Sequence, residues 1–305
     1  MEKSKRNIKK IVLIIFSIAL IIDLFISICF NIYFAVCYFK RESYLQSTDE
    51  IYIMEAGILC NNLQFYDGAD YEFQYDFSND SYEQLKSKYK LEDTAKDGTE
   101  FEKALSLMDE YAPRLRHKGD YKNNASDSAV ELLEYSLDDK NHGINCRAKA
   151  QILNEMCLSL GIYSRKVWIM PYSEYDTDCH VVNEVWDSSL GKWVMLDITN
   201  NTYWLDENKT PLSVMEIRNK VALREFCTPV KPDDNANDLH RLKEKNIGNF
   251  IYIVKNMVWM EYCTEYTVGE SENYYILLPQ NMPKNIFTEH ELLISKSSIE
   301  KSPIK

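Results

Sequence analysis

The chain has 305 residues, 45% of them apolar and 27% charged, an ordinary globular balance with enough length to bury a real core in one large domain or two small ones. Its net charge is −12, and the first 41 residues carry seven Lys or Arg against Glu2 and Asp23, so the remainder holds 28 basic and 45 acidic residues. Such an excess of acid excludes nucleic acid as a partner, because binding it needs clustered cations to neutralise phosphates.

Between Lys10 and Lys40 no Lys or Arg occurs, and IVLIIFSIALIIDLFISICFNIYFAVCYF is nearly continuous in Ile, Leu, Val and Phe. At about 1.5 Å per helical residue it spans roughly 44 Å, more than the ~30 Å hydrocarbon core of a bilayer. Residues 11–39 are therefore expected to be an uncleaved transmembrane anchor in contact with lipid; an A-x-A-like cleavage site is not found after them. Asp23 costs about 2.5–3.5 kcal/mol on insertion scales, which the surrounding apolar residues outweigh at about 0.3–0.6 kcal/mol each. Lys3, Lys5, Arg6, Lys9 and Lys10 precede the span and only Lys40 and Arg41 follow it closely. The excess predicts residues 1–10 in the cytosol and a single-pass protein with its bulk outside the cell membrane.

Residues 40–95 show no sustained period and are expected to form a stalk or lead-in. A globular domain is expected over 96–278, with a loose tail over 279–305. Helical patterning begins at TEFEKALSLMDEYA, where Thr99 and Glu102 are spaced as a capping box, and continues at SAVELLEYSLDD behind Ser128 and Glu131. In GINCRAKAQILNEMCLSLGI, Ile152, Met156 and Leu160 recur at fourfold spacing and Gly161 stops the helix. The pattern then turns to strands: YSRKVWIM, HVVNEVW and KWVMLDIT, the last two separated by the turn residues DSSLG. TPVKPDDNAND reads as a polar connector, and VWMEYCTEYTV and YYILLP as a further hairpin around Gly269. Helices followed by an antiparallel sheet predict an α+β fold.

Eight cysteines are present. Cys29 and Cys37 lie in the anchor, and the other six are scattered without a CxxC, so neither a disulfide scaffold nor a zinc site is expected, and no metal or organic cofactor. Cys146 stands apart because it opens a helix. A helix start presents partial positive charge and free N–H groups that favour the thiolate, the form that attacks carbonyl carbon. It reads either as one more small core residue or as a nucleophile.

A nucleophilic cysteine needs a base. His240 follows the polar connector, His290 lies near the tail, His117 ends a helical segment and His142 sits in a Gly-containing loop; His180 opens a strand. If that strand pairs with KWVMLDIT around Ser188 and Ser189, residue numbers across the ladder sum to 377 and His180 faces Asp197, whereas a one-residue slip would separate them. The carboxylate would then hold the imidazole while its other nitrogen meets a thiol, although a plain cross-strand pair satisfies the same pattern.

The three blocks GINCRAKAQILNEMCLSLGI, DCHVVNEVW and GKWVMLDIT together resemble the transglutaminase-like superfamily, and a membrane-anchored, bacterial-type member of it. The resemblance covers about Gly143 to Thr199 and implies a papain-like α+β core with Cys146 as nucleophile, His180 as base and Asp197 as its orienter. Many members have a Trp soon after the histidine and a Pro after the aspartate, where this chain has Val181, Val182 and Ile198. Asn123, Asn124 and Asn145 are candidates to complete an oxyanion hole, with turn or cap roles as the alternative. Calcium, used by some relatives, has no recognisable loop here. The expected function is that of a thiol enzyme acting on amide bonds of a protein or peptide substrate, as a cysteine peptidase, amidase or acyltransferase. The alternative is a catalytically inactive binding or scaffolding module at the membrane surface.

Overall fold

A computed structural model describes residues 2–173, 175–269, 271, 273–283 and 292–304. In chain order its elements begin with α1 (Glu2–Asn61), β1 (Gln74–Tyr75), α2 (Ser81–Tyr89), α3 (Leu91–Ala95), α4 (Glu100–Tyr111), α5 (Ala129–Asp138) and α6 (Cys146–Ser159). There follow β2 (Ser164–Met170), β3 (His180–Asp187), β4 (Lys192–Asp197), β5 (Thr202–Asp206), α7 (Val214–Ala222) and β6 (Cys227–Val230). The chain closes with α8 (Leu239–Lys245), α9 (Ile247–Lys255), β7 (Trp259–Cys263), β8 (Glu265–Tyr266), β9 (Tyr274–Leu277), β10 (Leu292–Leu293) and α10 (Lys296–Glu300).

The contacts divide the chain into two units, Met1–Glu50 and Ile51–Lys305. The first is helical, and its stretch from Lys10 is long and apolar enough to cross a membrane. The second is built on a mixed sheet in the order β10-β9-β7-β2-β3-β4-β5-β6, antiparallel throughout except where β10 joins β9. Strand alternation gives the sheet two buried faces. Val185, Val194 and Leu196 point to one, where they pack on α4, α5 and α6 through Leu107, Leu133, Leu153 and Met156. Val167, Val182 and Met195 point to the other, under Ile217 and Val221 of α7 and Phe250 and Val254 of α9.

The helix signals in the sequence have direct structural counterparts. Thr99 and Glu102 form the reciprocal capping box of α4, and Ser128 accepts from the Glu131 amide at the start of α5. Gly161 follows α6 with φ of +73°, the left-handed conformation that a side chain would strain.

Four features depart from the sequence expectations. The expected stalk over 40–95 packs in large part within the second unit: Leu59, Leu85 and Leu91 are fully buried, and β1 pairs with β8. Its apolar residues are spaced by three-dimensional neighbours rather than by one period, so pattern alone passes over them. In the expected tail over 279–305, of which 284–291 and 305 lie outside the described residues, Ile294 and Ile299 are likewise buried and β10 is paired with β9. The start of the connector TPVKPDDNAND continues β6, an edge strand, where Pro229 is tolerated because the outer side of an edge needs no donor. Finally, β3 and β4 pair with numbers summing to 379, as in Asn183 with Leu196, not 377. The turn spans Ser188 to Gly191, where Gly191 has φ of +63° and donates to the Asp187 carbonyl at 2.8 Å.

Candidate active site

Cys146 is the first residue of α6, and Asn145 before it is the N-cap, its side chain accepting from the Ala148 amide at 3.0 Å. The approach to the helix is fixed by a short bridge between His117 and Ile144, in which Lys118 donates to the Ile144 carbonyl and Ile144 to that of Arg116. Gly143 is needed there: a Cβ on it would lie 2.7 Å from the Cβ of Lys118. Chain geometry therefore sets the position of Cys146 from both sides.

The shift in strand register is two residues, an even number, so it leaves every side chain on the face that a sum of 377 assigns. His180 and Asp197 become diagonal neighbours on the face of Val182 and Met195. His180 Nε2 lies 3.0 Å from Asp197 Oδ2. The carboxylate is fully buried and its remaining acceptor capacity is filled: the amides of Thr199 and Asn200 reach Oδ1 at 3.0 and 3.2 Å, and Asn200 Nδ2 donates to Oδ2 at 2.7 Å. Because Asp197 takes Nε2, Nδ1 is the ring nitrogen left for the hydrogen bond that His180 makes with Cys146. The Val181 amide also donates to the sulfur.

The electrostatics follow from these contacts. Burial opposes ionisation of the Cys146 thiol, but the hydrogen bond and charge of His180 and the Val181 amide outweigh it against a smaller opposing effect of Asp197, and the thiol is held below the usual cysteine value. Burial likewise disfavours charge on His180, yet the Asp197 carboxylate and then Cys146 push the imidazole up to about 10. Asp197 is held below the usual carboxylate range: burial acts against this, and His180 and Asn200 overcome it. At neutral pH these directions favour a thiolate beside an imidazolium, with Cys146 itself partly open to solvent.

The other histidines are engaged elsewhere or lie farther out. His142 stacks on Tyr135 with ring centroids 4.4 Å apart, His240 packs on Phe226, and His290 falls outside the described residues. The three asparagines have structural partners: Asn145 caps α6, Asn123 accepts from Arg147 at 2.6 Å and Asn124 donates to Tyr135 Oη at 2.8 Å. Asp178, two residues before His180, pairs with Lys255 at 3.0 Å instead of joining it as a ligand set.

Several residues around the centre are not among those expected from the sequence. Asn200 anchors Asp197, as described. The Tyr252 ring on α9 packs edge-on to His180 with centroids 5.4 Å apart, and its hydroxyl lies 3.4 Å from Asp178 Oδ1. Burial, followed by the nearby negative groups Asp178, Cys146 and Asp197, holds that hydroxyl protonated. Lys149, one turn along α6 from Cys146, is buried beside the same groups. Asn200 combines closeness in the chain to Asp197 with a side chain suited to an Asx-type anchor, a signal that the sequence does contain.

No curated protein matches the chain. Residues 87–198 match the family model described as the transglutaminase-like superfamily. That span contains α4, α5, α6 and the strands β2 to β4, and with them Cys146, His180 and Asp197. The chain thus carries a transglutaminase-like superfamily domain, set in an α+β fold whose antiparallel sheet extends beyond the matched residues on both sides.

Proposed function

We propose that the protein is a thiol enzyme that transfers an acyl group from an amide, with Cys146 as nucleophile, His180 as acid and base, and Asp197 as the group that orients and charges His180. The observation that carries this reading is the hydrogen-bonded chain Cys146–His180–Asp197, with Nε2 of His180 3.0 Å from Asp197 Oδ2 and the thiol at the start of α6.

In the acylation step the Cys146 sulfur forms a bond to the amide carbonyl carbon while the carbonyl π pair moves onto oxygen. The N-terminal amides of α6, which have no intrahelical acceptors, offer the Cys146 N–H to that oxygen. On collapse the carbon–nitrogen bond breaks and the departing nitrogen takes the proton held on His180 Nδ1, leaving a thioester and a neutral imidazole. Deacylation reverses the roles: His180 takes a proton from water or from an amine as its oxygen or nitrogen attacks the thioester carbon, and the sulfur leaves as thiolate beside a re-formed imidazolium. A protein or peptide is the expected substrate class, and the choice between water and amine depends on how far the bound substrate excludes solvent.

The N-terminal helix supports a membrane-anchored, single-pass placement with the catalytic domain outside the cytosol, on the charge asymmetry of Lys3 to Lys10 against Lys40 and Arg41. The test of the chemistry is trapping: incubate the full chain with an activated ester and locate the acyl group by mass spectrometry. A stoichiometric acyl adduct on Cys146, lost in Cys146→Ser and slowed in His180→Ala, is the expected result. Acylation spread over the cysteines, or equal in His180→Ala, refutes the assignment.

A further inference from the structure

Lys149 is among the least accessible charged residues of the chain, 2% exposed; its backbone amide donates to the Asn145 carbonyl, but among the described residues its ammonium makes no hydrogen bond and no ion pair at contact distance. It follows Cys146 by three positions on α6, a spacing that puts two side chains next to each other on a helix surface. A largely desolvated ammonium without a partner is disfavoured unless a nearby net negative charge holds it.

The groups around it supply that charge. Cys146 on its own helix and Asp197 on β4 are both anionic in the resting state described above, and His180 on β3 is the only cation between them. The other ionisable groups near this region are neutral or held in ion pairs of their own. Burial and then the charges of Lys149 and His180 hold His117, on the segment bridged to Ile144, below the usual imidazole value. Cys179 is pushed up to about 11, first by burial, and Tyr252 on α9 is held protonated. Asp178 shares Lys255 with Asp176, at 3.0 and 2.9 Å. Thiolate, imidazolium and carboxylate therefore leave one uncompensated negative charge in a buried site.

We propose that Lys149 is the cation that neutralises the Cys146–His180–Asp197 set and thereby keeps the sulfur ionised, a positioning residue and not a packing one. This rests on the reading of Cys146 as a nucleophile. Attraction between two charges is mutual, so the same groups that hold Lys149 charged are stabilised by it. Asp197 and Cys146 do act in that direction on Lys149, against a burial that brings its ammonium down to about 8. Lys149 also adds positive potential at the sulfur, which favours approach of an anionic electrophile over a neutral one.

The test measures alkylation of Cys146 in the full chain by iodoacetamide, which is neutral, and iodoacetate, which is anionic, from about pH 5 to about pH 10, a range that brackets a perturbed and an ordinary thiol. Lys149→Met keeps the length without the charge, and Lys149→Arg keeps the charge. In Lys149→Met the iodoacetamide profile should move up by about one pH unit, a tenfold loss of thiolate on its acid side. The ratio of iodoacetate to iodoacetamide rates should fall severalfold, while Lys149→Arg stays near the parent. In the parent that ratio should itself drop as pH rises through about 8, where Lys149 loses its proton. This last readout needs no variant to fold. A ratio in the parent that stays flat through that range, or a Lys149→Met protein with unchanged midpoint and ratio, overturns the proposal. The underlying reading fails separately, when alkylation of Cys146 in the parent does not depend on His180.

Discussion

Replacing Asp197 by Asn removes one charge and keeps the shape, and its effect can be worked from the geometry. Asp197 Oδ2 lies 3.0 Å from His180 Nε2, and both side chains are buried. Unit charges about 4 Å apart at an effective dielectric of about 20 attract by about 4 kcal/mol. At 1.36 kcal/mol per pKa unit, that is about three units. His180, at about 10 in the parent, would fall to neutrality or below, since burial already works against its charged form. A neutral imidazole no longer holds a thiolate, and the proton returns from nitrogen to sulfur. The assay is the ultraviolet absorbance of thiolate as a function of pH, taken as the difference between each protein and its Cys146→Ser counterpart so that the other cysteines cancel. The parent should show one thiolate throughout the neutral range. Asp197→Asn should show it only as pH approaches the ordinary thiol value of about 8.5. Thiolate that persists at about pH 6 in Asp197→Asn would refute the assignment of the charge on His180 to its carboxylate.

Asn200→Ala removes the 2.7 Å hydrogen bond to Asp197 Oδ2, one to a charged group and hence of about 1.5–3 kcal/mol, so acylation of Cys146 by an activated ester should slow about tenfold or more; an unchanged rate would make Asn200 a bystander. Glu184→Gln leaves the buried Arg165 guanidinium, now bonded to Glu184 Oε2 at 2.6 and 2.9 Å, without its counter-charge, and denaturant unfolding should show a loss of about 3–5 kcal/mol; a loss under about 1 kcal/mol contradicts a buried pair. Deleting residues 11–39 removes the only stretch among the described residues long and apolar enough to cross a membrane, and the protein should move from the membrane to the soluble fraction on centrifugation; retention in the membrane would refute the anchor.

What was legible in the sequence was what local chemistry determines. The caps at Thr99 and Ser128, the stop at Gly161 and the cysteine behind Asn145 each depend on residues within four positions of one another, and the structure contains them as written. The pairing of His180 with Asp197 was legible for a different reason. Side chains alternate with a period of two, so the choice of face survived an error of two in the register, although the turn itself held four residues and not two. Long-range packing left no such trace. Tyr252 reaches His180 from a helix 72 positions downstream, at a distance set by how α9 lies on the sheet. Lys149 carries no signal in the sequence, and only the tertiary structure buries it. The lead-in helices and the tail also escaped pattern reading, because their apolar residues face neighbours contributed by distant segments, as β1 does with β8 and β10 with β9.

The most direct measurement on the proposed site is the rate at which iodoacetamide labels Cys146 near neutral pH in the full chain, with and without His180→Ala, each cysteine being quantified by peptide mapping. The thiolate–imidazolium pair predicts that Cys146 labels far faster than the buried Cys157, Cys227 and Cys263, and that His180→Ala removes most of that advantage. Labelling of Cys146 that is slow in the parent, or equally fast without His180, would contradict it.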